Sequence, residues 1–393
     1  MKKALIALAI GGFGIGMTEF VIMGILPEVA ADLKISIPRA GHFISAYALG
    51  VVVGAPILTG LAGKWPGHKI LMLLMIWFTV FNTLSAFADS YYSLLIVRFL
   101  SGLPHGAFFG IGAVVAAKLA KPGKSAKAIA IMFTGLTLAN VIGVPLGTYV
   151  GQNFNWGVSF LLVGVVGVMA VLGIKFWMPV LPKSSANGFK KDVKVFQKTE
   201  FWLVFLLTSI GTGGFFAWYS YIAPLLTEVA GHSEGIITYV MILAGIGMVI
   251  GNFAGAKLTE KFSPINAVVI TLMVMVVLLV ANTFLASDKI AVIVMTFLIS
   301  VTAFCIATPI QMAMIKTSKG SEMLGSSMNQ SAFNMGNASG AYFAGLPIAF
   351  GYGISSATLV GAAMAGTGVF IALAIIALRK KKSAPAHMPA LEA

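Results

Sequence analysis

Along the chain, apolar residues run on for twenty or more positions at a time, broken by short polar and basic stretches. A membrane-crossing helix needs about 20 mostly apolar residues. Twelve stretches reach that length: residues 4–26, 39–63, 69–88, 92–117, 125–150, 156–178, 201–226, 235–256, 265–286, 290–315, 322–349 and 354–378. Spanning β-strands would instead be alternating segments of about ten residues, and these runs are too long and too continuous for that. The pattern predicts an all-α membrane protein with twelve transmembrane helices.

The pattern also repeats. At an offset of 197 positions Gly123 falls on Gly320, Asn140 on Asn337 and Gly143 on Gly340, and the same offset lays Gly50, Gly54 and Leu61 over Gly247, Gly251 and Leu258. At 200, Leu26, Glu28 and Val29 fall on Leu226, Glu228 and Val229, so a small gap separates the two ends of each half. A half-length duplication in a hydrophobic chain is the mark of a transporter with its site at the repeat interface. The expected organisation is a six-helix bundle over 1–178, a linker over 179–200, a second pseudo-symmetric six-helix bundle over 201–378 and a tail over 379–393.

Composition agrees: the chain is 59% hydrophobic and 10% charged, with a mean hydropathy of +0.96, too little polar surface to face water on all sides. The net charge of +14 raises nucleic acid as a partner, but the placement of the cations answers it. Most of the 26 lysines and arginines lie on one side of the twelve-span arrangement; only Lys34, Arg39 and Lys289 sit in opposite loops, with Arg98 and Lys175 inside spans. The positive-inside rule places both termini in the cytoplasm, and topology explains the charge without nucleic acid. Lys2 and Lys3 before an apolar run resemble a signal peptide, but the run is long and contains Glu19, which reads as an uncleaved first helix. In the linker, Phe189, Val193 and Phe196 at helical spacing among lysines fit a short helix on the anionic leaflet as well as a solvated basic segment. The lone Cys305 excludes an internal disulfide and a cysteine metal cluster; no cofactor or metal is expected.

Glu19 is the acid well inside a span, where a carboxylate needs a partner, water or a proton. Counting 1.5 Å per residue puts it and Arg98 at about the same depth. Two readings stand for the pair: a proton-coupling site, or a fixed ion pair locking the bundle. Arg98, Gly102 and His105 share a face of the fourth span, with His105 near the midplane as a substrate donor or a packing histidine, and Pro104 freeing a backbone carbonyl. Uncharged polar residues recur at similar depth in both halves: Asn140, Asn252, Gln311, Gln330, Asn334 and Asn337. Each alone reads as helix glue; Gln330, Asn334 and Asn337 together make a stripe and a candidate substrate surface. In the seventh span Phe215, Phe216, Trp218, Tyr219 and Tyr221 cluster, the repeat setting Tyr219 opposite Glu19. Aromatic planes suit sugars, nucleosides or flat drugs, and an interface belt is the rival explanation for Trp218 and Tyr221.

These residues resemble the major facilitator superfamily, in particular its drug and sugar proton antiporters. Arg98-Phe-Leu-Ser-Gly102 is similar to the fourth-span motif whose arginine is implicated in proton transfer. Ala139-Asn-Val-Ile-Gly143-Val-Pro145-Leu-Gly147 is similar to the fifth-span antiporter motif, with the proline one place late. Gly60-Leu-Ala-Gly63-Lys64 occupies the signature gating loop, with Gly63 for its aspartate. Gly16-Met-Thr-Glu19-Phe, Tyr47-Ala-Leu-Gly-Val-Val-Val-Gly-Ala-Pro56 and Gly102-Leu-Pro-His105-Gly-Ala-Phe-Phe-Gly110 resemble sugar efflux permeases of that group. The resemblance implies a monomeric exporter of a small molecule, a sugar such as arabinose or a related compound, driven by protons through alternating access; multidrug or nucleoside efflux and an uncoupled sugar facilitator are the alternatives. The residues read above are the site candidates: Glu19 and Arg98 for coupling, the family motif adding its weight to Arg98, and His105, Asn140, Trp218, Tyr219, Gln311, Gln330, Asn334 and Asn337 for substrate contact. An enzyme would need a nucleophile with a base or a set of metal ligands; the chain has no HExxH, and its one G-x-S-x-G match, Gly231-His-Ser-Glu-Gly235, lies in a short loop between two apolar runs rather than at a strand-to-helix turn.

Overall fold

The computed structural model describes residues 2–62, 65–120, 125–181, 193–319 and 321–383. The first six spans are Lys2–Gly24, Ile37–Ala62, Gly67–Ser85, Tyr91–Leu119, Ser125–Leu138 continued by Val144–Asn153, and Trp156–Trp177. The second six are Thr199–Tyr219, Ile236–Lys261, Pro264–Leu285, Lys289–Cys305 continued by Ala307–Thr317, Glu322–Ala349 and Ser356–Ser383. Eleven of the twelve are both long and apolar enough to cross a membrane. The eleventh span, 28 residues long, is the exception, because its serines, asparagines and Gln330 dilute it. The perimeter is apolar, with Ile76, Phe176, Val277 and Phe284 exposed, as a lipid-facing surface requires.

The duplication is visible in the packing. A Cβ added at Gly50 would lie 2.1 Å from the carbonyl of Phe99, and one at Gly247 would lie 2.9 Å from that of Phe297. Gly54 meets Leu103 as Gly251 meets Val301. Spans two and four, and spans eight and ten, therefore pack backbone to backbone by the same device.

Prolines inside spans leave carbonyls that other helices take up, because proline has no N–H for the residue four positions back. Pro104 frees Leu100, whose oxygen accepts from the Trp77 indole at 2.8 Å. Pro56 frees Val52, whose oxygen accepts from Ser331 of the other half at 3.5 Å. The fifth span opens into a π-turn at Ala139–Gly143, just before Pro145, and Gly245 of the eighth span is set close against the Asn140 carbonyl there.

The sequence pattern carried the first and seventh runs through to residues 26 and 226. Both helices instead end at Gly24 and Tyr219, and short helical pieces follow, Leu26–Asp32 and Ile222–Val229. These pieces meet across the molecule at the face opposite the chain termini, in one apolar core that joins Phe20, Leu26 and Val29 to Trp218, Tyr221 and Leu226. Phe20 stacks on Phe216 with centroids 6.4 Å apart and meets Tyr219 edge-on at 6.0 Å. In the linker, Val193–Gln197 is one turn of 3-10 helix. Val195 is buried and Phe196 packs on Phe201 and Trp202, so this turn docks on the protein rather than lying on lipid. Most of the expected amphipathic stretch and Gly63 of the gating loop lie outside the described residues.

Candidate functional site

Between the halves lies a cavity of about 730 Å³. It begins under the Phe20 and Phe216 contact and extends to Met312, Ile315 and Ser326, near the ends of the tenth and eleventh spans on the termini side. Its lining is mainly apolar and aromatic, including Phe20, Phe133, Phe215, Phe216, Phe304 and Phe333. Asn252, Gln311, Gln330, Asn334 and several threonines supply the polar groups, and Glu19 is the ionisable side chain among the lining residues.

Glu19 is 7% exposed. The polar group acting on it from the opposite half is Asn337, with the charge of Arg98 acting at longer range. Both side-chain atoms of Asn337 are buried without a hydrogen-bond partner of normal geometry. An amide can donate to an ionised carboxylate or accept from a protonated one, so Asn337 suits either state of Glu19.

The ion pair expected between Glu19 and Arg98 is not formed. Among the described residues, Arg98 donates from Nη1 to Thr18 Oγ1 at 2.8 Å and from Nη2 to the Thr18 carbonyl at 3.1 Å. Thr18 in turn donates to Asn82 Oδ1, and Asn82 is anchored to the Phe78 carbonyl at 2.8 Å. The rings of Tyr47 and Phe160 cover the guanidinium, at 4.4 and 5.2 Å from Cζ. A fully buried cation is thus held by neutral groups and two aromatic faces, and Glu19 stays at the cavity wall.

Of the residues expected to touch substrate, Gln311, Gln330 and Asn334 line the cavity. Gln311 accepts from Asn329 and donates to Ser326 at 3.1 Å; Asn334 donates to the Gln330 carbonyl at 3.1 Å and leaves Oδ1 unpaired. The others are not brought to the wall. His105 is buried against Tyr47 at 3.2 Å and meets Phe109 edge-on. Asn140 bonds the Leu136 carbonyl at the π-turn. Trp218 and Tyr219 are 1% exposed, Tyr219 donating to the Met241 sulfur; they back the lining rings of Phe215 and Phe216 rather than forming an interface belt. Sequence reasoning missed Phe20, Phe133, Thr137 and Thr212 on the wall, and Thr18 and Asn82 behind Arg98. The signal for Asn82 was available, as an amide in the last turn of an apolar span.

Twelve spanning helices in two related halves around a central cavity define a membrane transporter. The sequence profile of the Major Facilitator Superfamily matches residues 8–341, and the chain belongs to that family. It is 38% identical over 393 residues to AraJ of Escherichia coli (strain K12), covering 100% of this chain and 99% of AraJ. It is 39% identical over 367 residues to the inner membrane transport protein YdhP of the same strain, covering 93% and 94% of the two chains. Among solved structures, a bacterial homologue of the human lysosomal transporter Spinster, inward-facing and unoccupied, superposes with a TM-score of 0.76 at 17% identity over 98% of each chain, a likeness of fold.

Proposed function

We propose that the chain is a proton-coupled exporter of small amphipathic molecules in the bacterial inner membrane, with both termini in the cytoplasm. The carrying observation is that, among the described residues, the cavity between the halves has one ionisable wall residue, Glu19, among phenylalanines and amides. A lone carboxylate exposed to a substrate cavity is a natural exchange site, since substrate arrival changes its solvation and thus its hold on a proton. The cationic loops on the termini side supply the topology, and the resemblance of YdhP supports the membrane.

The wall also bears on substrate. Six phenylalanine rings with a few amides suit a molecule with a flat apolar body and two or three polar groups. A sugar such as arabinose, implied by the efflux-permease resemblance, is the second reading; Gln311, Gln330 and Asn334 give it hydrogen-bond partners. The test is a binding screen of sugars, nucleosides and aromatic antibiotics on purified protein, followed by uptake into vesicles with an imposed pH gradient. Accumulation that does not depend on the gradient would reject coupling. Binding restricted to monosaccharides would reject the amphipathic reading.

A further inference from the structure

A second concave site lies at the termini face of the second half, away from the central cavity. Gln197, Lys198, Thr199, Glu200, Lys316, Thr317 and Arg379 enclose about 530 Å³ where the seventh, tenth and twelfth spans end together. Three cations and one acid share the walls. The acid is already committed: Glu200 Oε1 accepts from Arg379 Nε at 2.9 Å and Nη2 at 2.7 Å, with Thr317 Oγ1 at 3.4 Å. Lys198 is fixed over the cleft by donating to the Thr317 carbonyl at 3.2 Å. The positive excess therefore rests on Lys198 and Lys316, with the Arg379 guanidinium also in the wall. Beside the cleft Trp202 is 42% exposed, its indole N–H fixed to the Phe196 carbonyl at 2.8 Å and its ring stacked on Phe196. Span ends and a half-exposed tryptophan mark headgroup depth.

We propose that this cleft binds a phosphate group, that of an anionic phospholipid headgroup in the leaflet on the termini side. Two lysines, one of them tied to the Thr317 carbonyl, together with an arginine give a diffuse positive pocket suited to a phosphodiester. The acyl chains would leave past Trp202 along the apolar perimeter. The site joins the linker, through Gln197 and Lys198, to the ends of three spans, so an occupied cleft ties the linker to the second half.

The test uses the full chain in nanodiscs of phosphatidylcholine with a minor share of phosphatidylglycerol, counting lipids retained in native mass spectrometry. The double variant Lys198→Gln/Lys316→Gln leaves Arg379 and Glu200 paired. Its control, Lys257→Gln/Lys261→Gln, removes equal charge elsewhere on the same face. The parent and the control should retain one phosphatidylglycerol with at least tenfold preference over phosphatidylcholine, and the double variant should lose that preference at unchanged melting temperature. Equal retention by double variant and parent, or equal loss in the control, overturns the proposal. A second arm titrates inorganic phosphate into lipid-free micelles and reads tryptophan fluorescence, with Trp202→Phe to assign the signal. Saturable quenching by phosphate without lipid preference assigns the cleft to a soluble phosphate and overturns the lipid assignment; no binding in either arm overturns the site.

Discussion

Arg98 and Thr18 form the polar joint of the first half: the guanidinium takes both the hydroxyl and the carbonyl of Thr18. The charge is thereby held without its neighbour Glu19. Thr18→Val keeps the volume and removes the hydroxyl, leaving Arg98 and Asn82 each short of a buried partner. A loss of about 1–3 kcal/mol is expected, the cost of stranding a buried polar group. Thermal unfolding in detergent checks it. A melting temperature equal to the parent's would show that Thr18 does not anchor Arg98.

Glu19→Gln should, by contrast, fold and bind substrate as the parent does, because no ion pair is broken. Accumulation driven by a pH gradient should fall to the level of vesicles without protein, since the amide carries no exchangeable charge. Downhill substrate exchange should continue. Gradient-driven accumulation at the parent's rate would remove Glu19 from the coupling step.

Substrate contact and scaffold separate at the aromatic cluster. Phe216→Ala and Gln330→Ala alter the cavity wall and should weaken binding about tenfold, roughly 1.4 kcal/mol each, with protein yield preserved. Trp218→Ala empties a fully buried ring from behind that wall, and should cost about 3–5 kcal/mol of stability. Isothermal titration beside a melting curve distinguishes them. Weakened binding by Trp218→Ala at unchanged stability would move Trp218 into the site.

The far face has its own pH response. Glu28, in the short helix Leu26–Asp32, has both carboxylate oxygens buried. Burial, with repulsion from Glu234 of the other half, pushes its carboxyl up from 4.5 to about 7 against the opposing influence of backbone and Gln152 hydrogen bonding. A raised carboxyl favours the state that buries it when protonated. The closed far face is therefore fully favoured below about pH 4.5 and loses that advantage as pH rises through about 7. The difference is at most roughly 3 kcal/mol, reduced by partial exposure. Spin labels at Asp32→Cys and Ser233→Cys, in a Cys305→Ser background, should report a wider separation at pH 8 than at pH 5. Glu28→Gln should flatten the profile; a flat profile in the parent would exclude the effect.

The spans and the duplication were legible because bilayer thickness and backbone satisfaction leave strong one-dimensional traces: long apolar runs, and glycines at matched offsets. Gly50 and Gly247 were found by spacing alone and make the same carbonyl contact. Polar residues in spans were visible too, but not which way they turn. Asn334 and Asn140 each donate their amide to the carbonyl four residues back, yet Asn334 lines the cavity and Asn140 does not, and nothing in residue type separates them. The break after Gly24 and the partner chosen by Arg98 depend on three-dimensional packing, and depth counting placed Arg98 one residue away from its acceptor.

The two halves share their backbone contacts but not their charges. Glu19 and Arg98 sit deep in the first half, whereas spans seven to twelve keep their charged residues at their ends. A voltage across the bilayer therefore grips one half of the molecule. With Glu19 ionised the pair is neutral and the field does little net work. With Glu19 protonated Arg98 is left as a positive charge, and displacing it through the full field exchanges about 2.3 kcal/mol per 100 mV. On the proposed role of Glu19, loading a proton would make the first half electrically sensitive, so that the cell's potential would bear on any movement that carries Arg98 along the field.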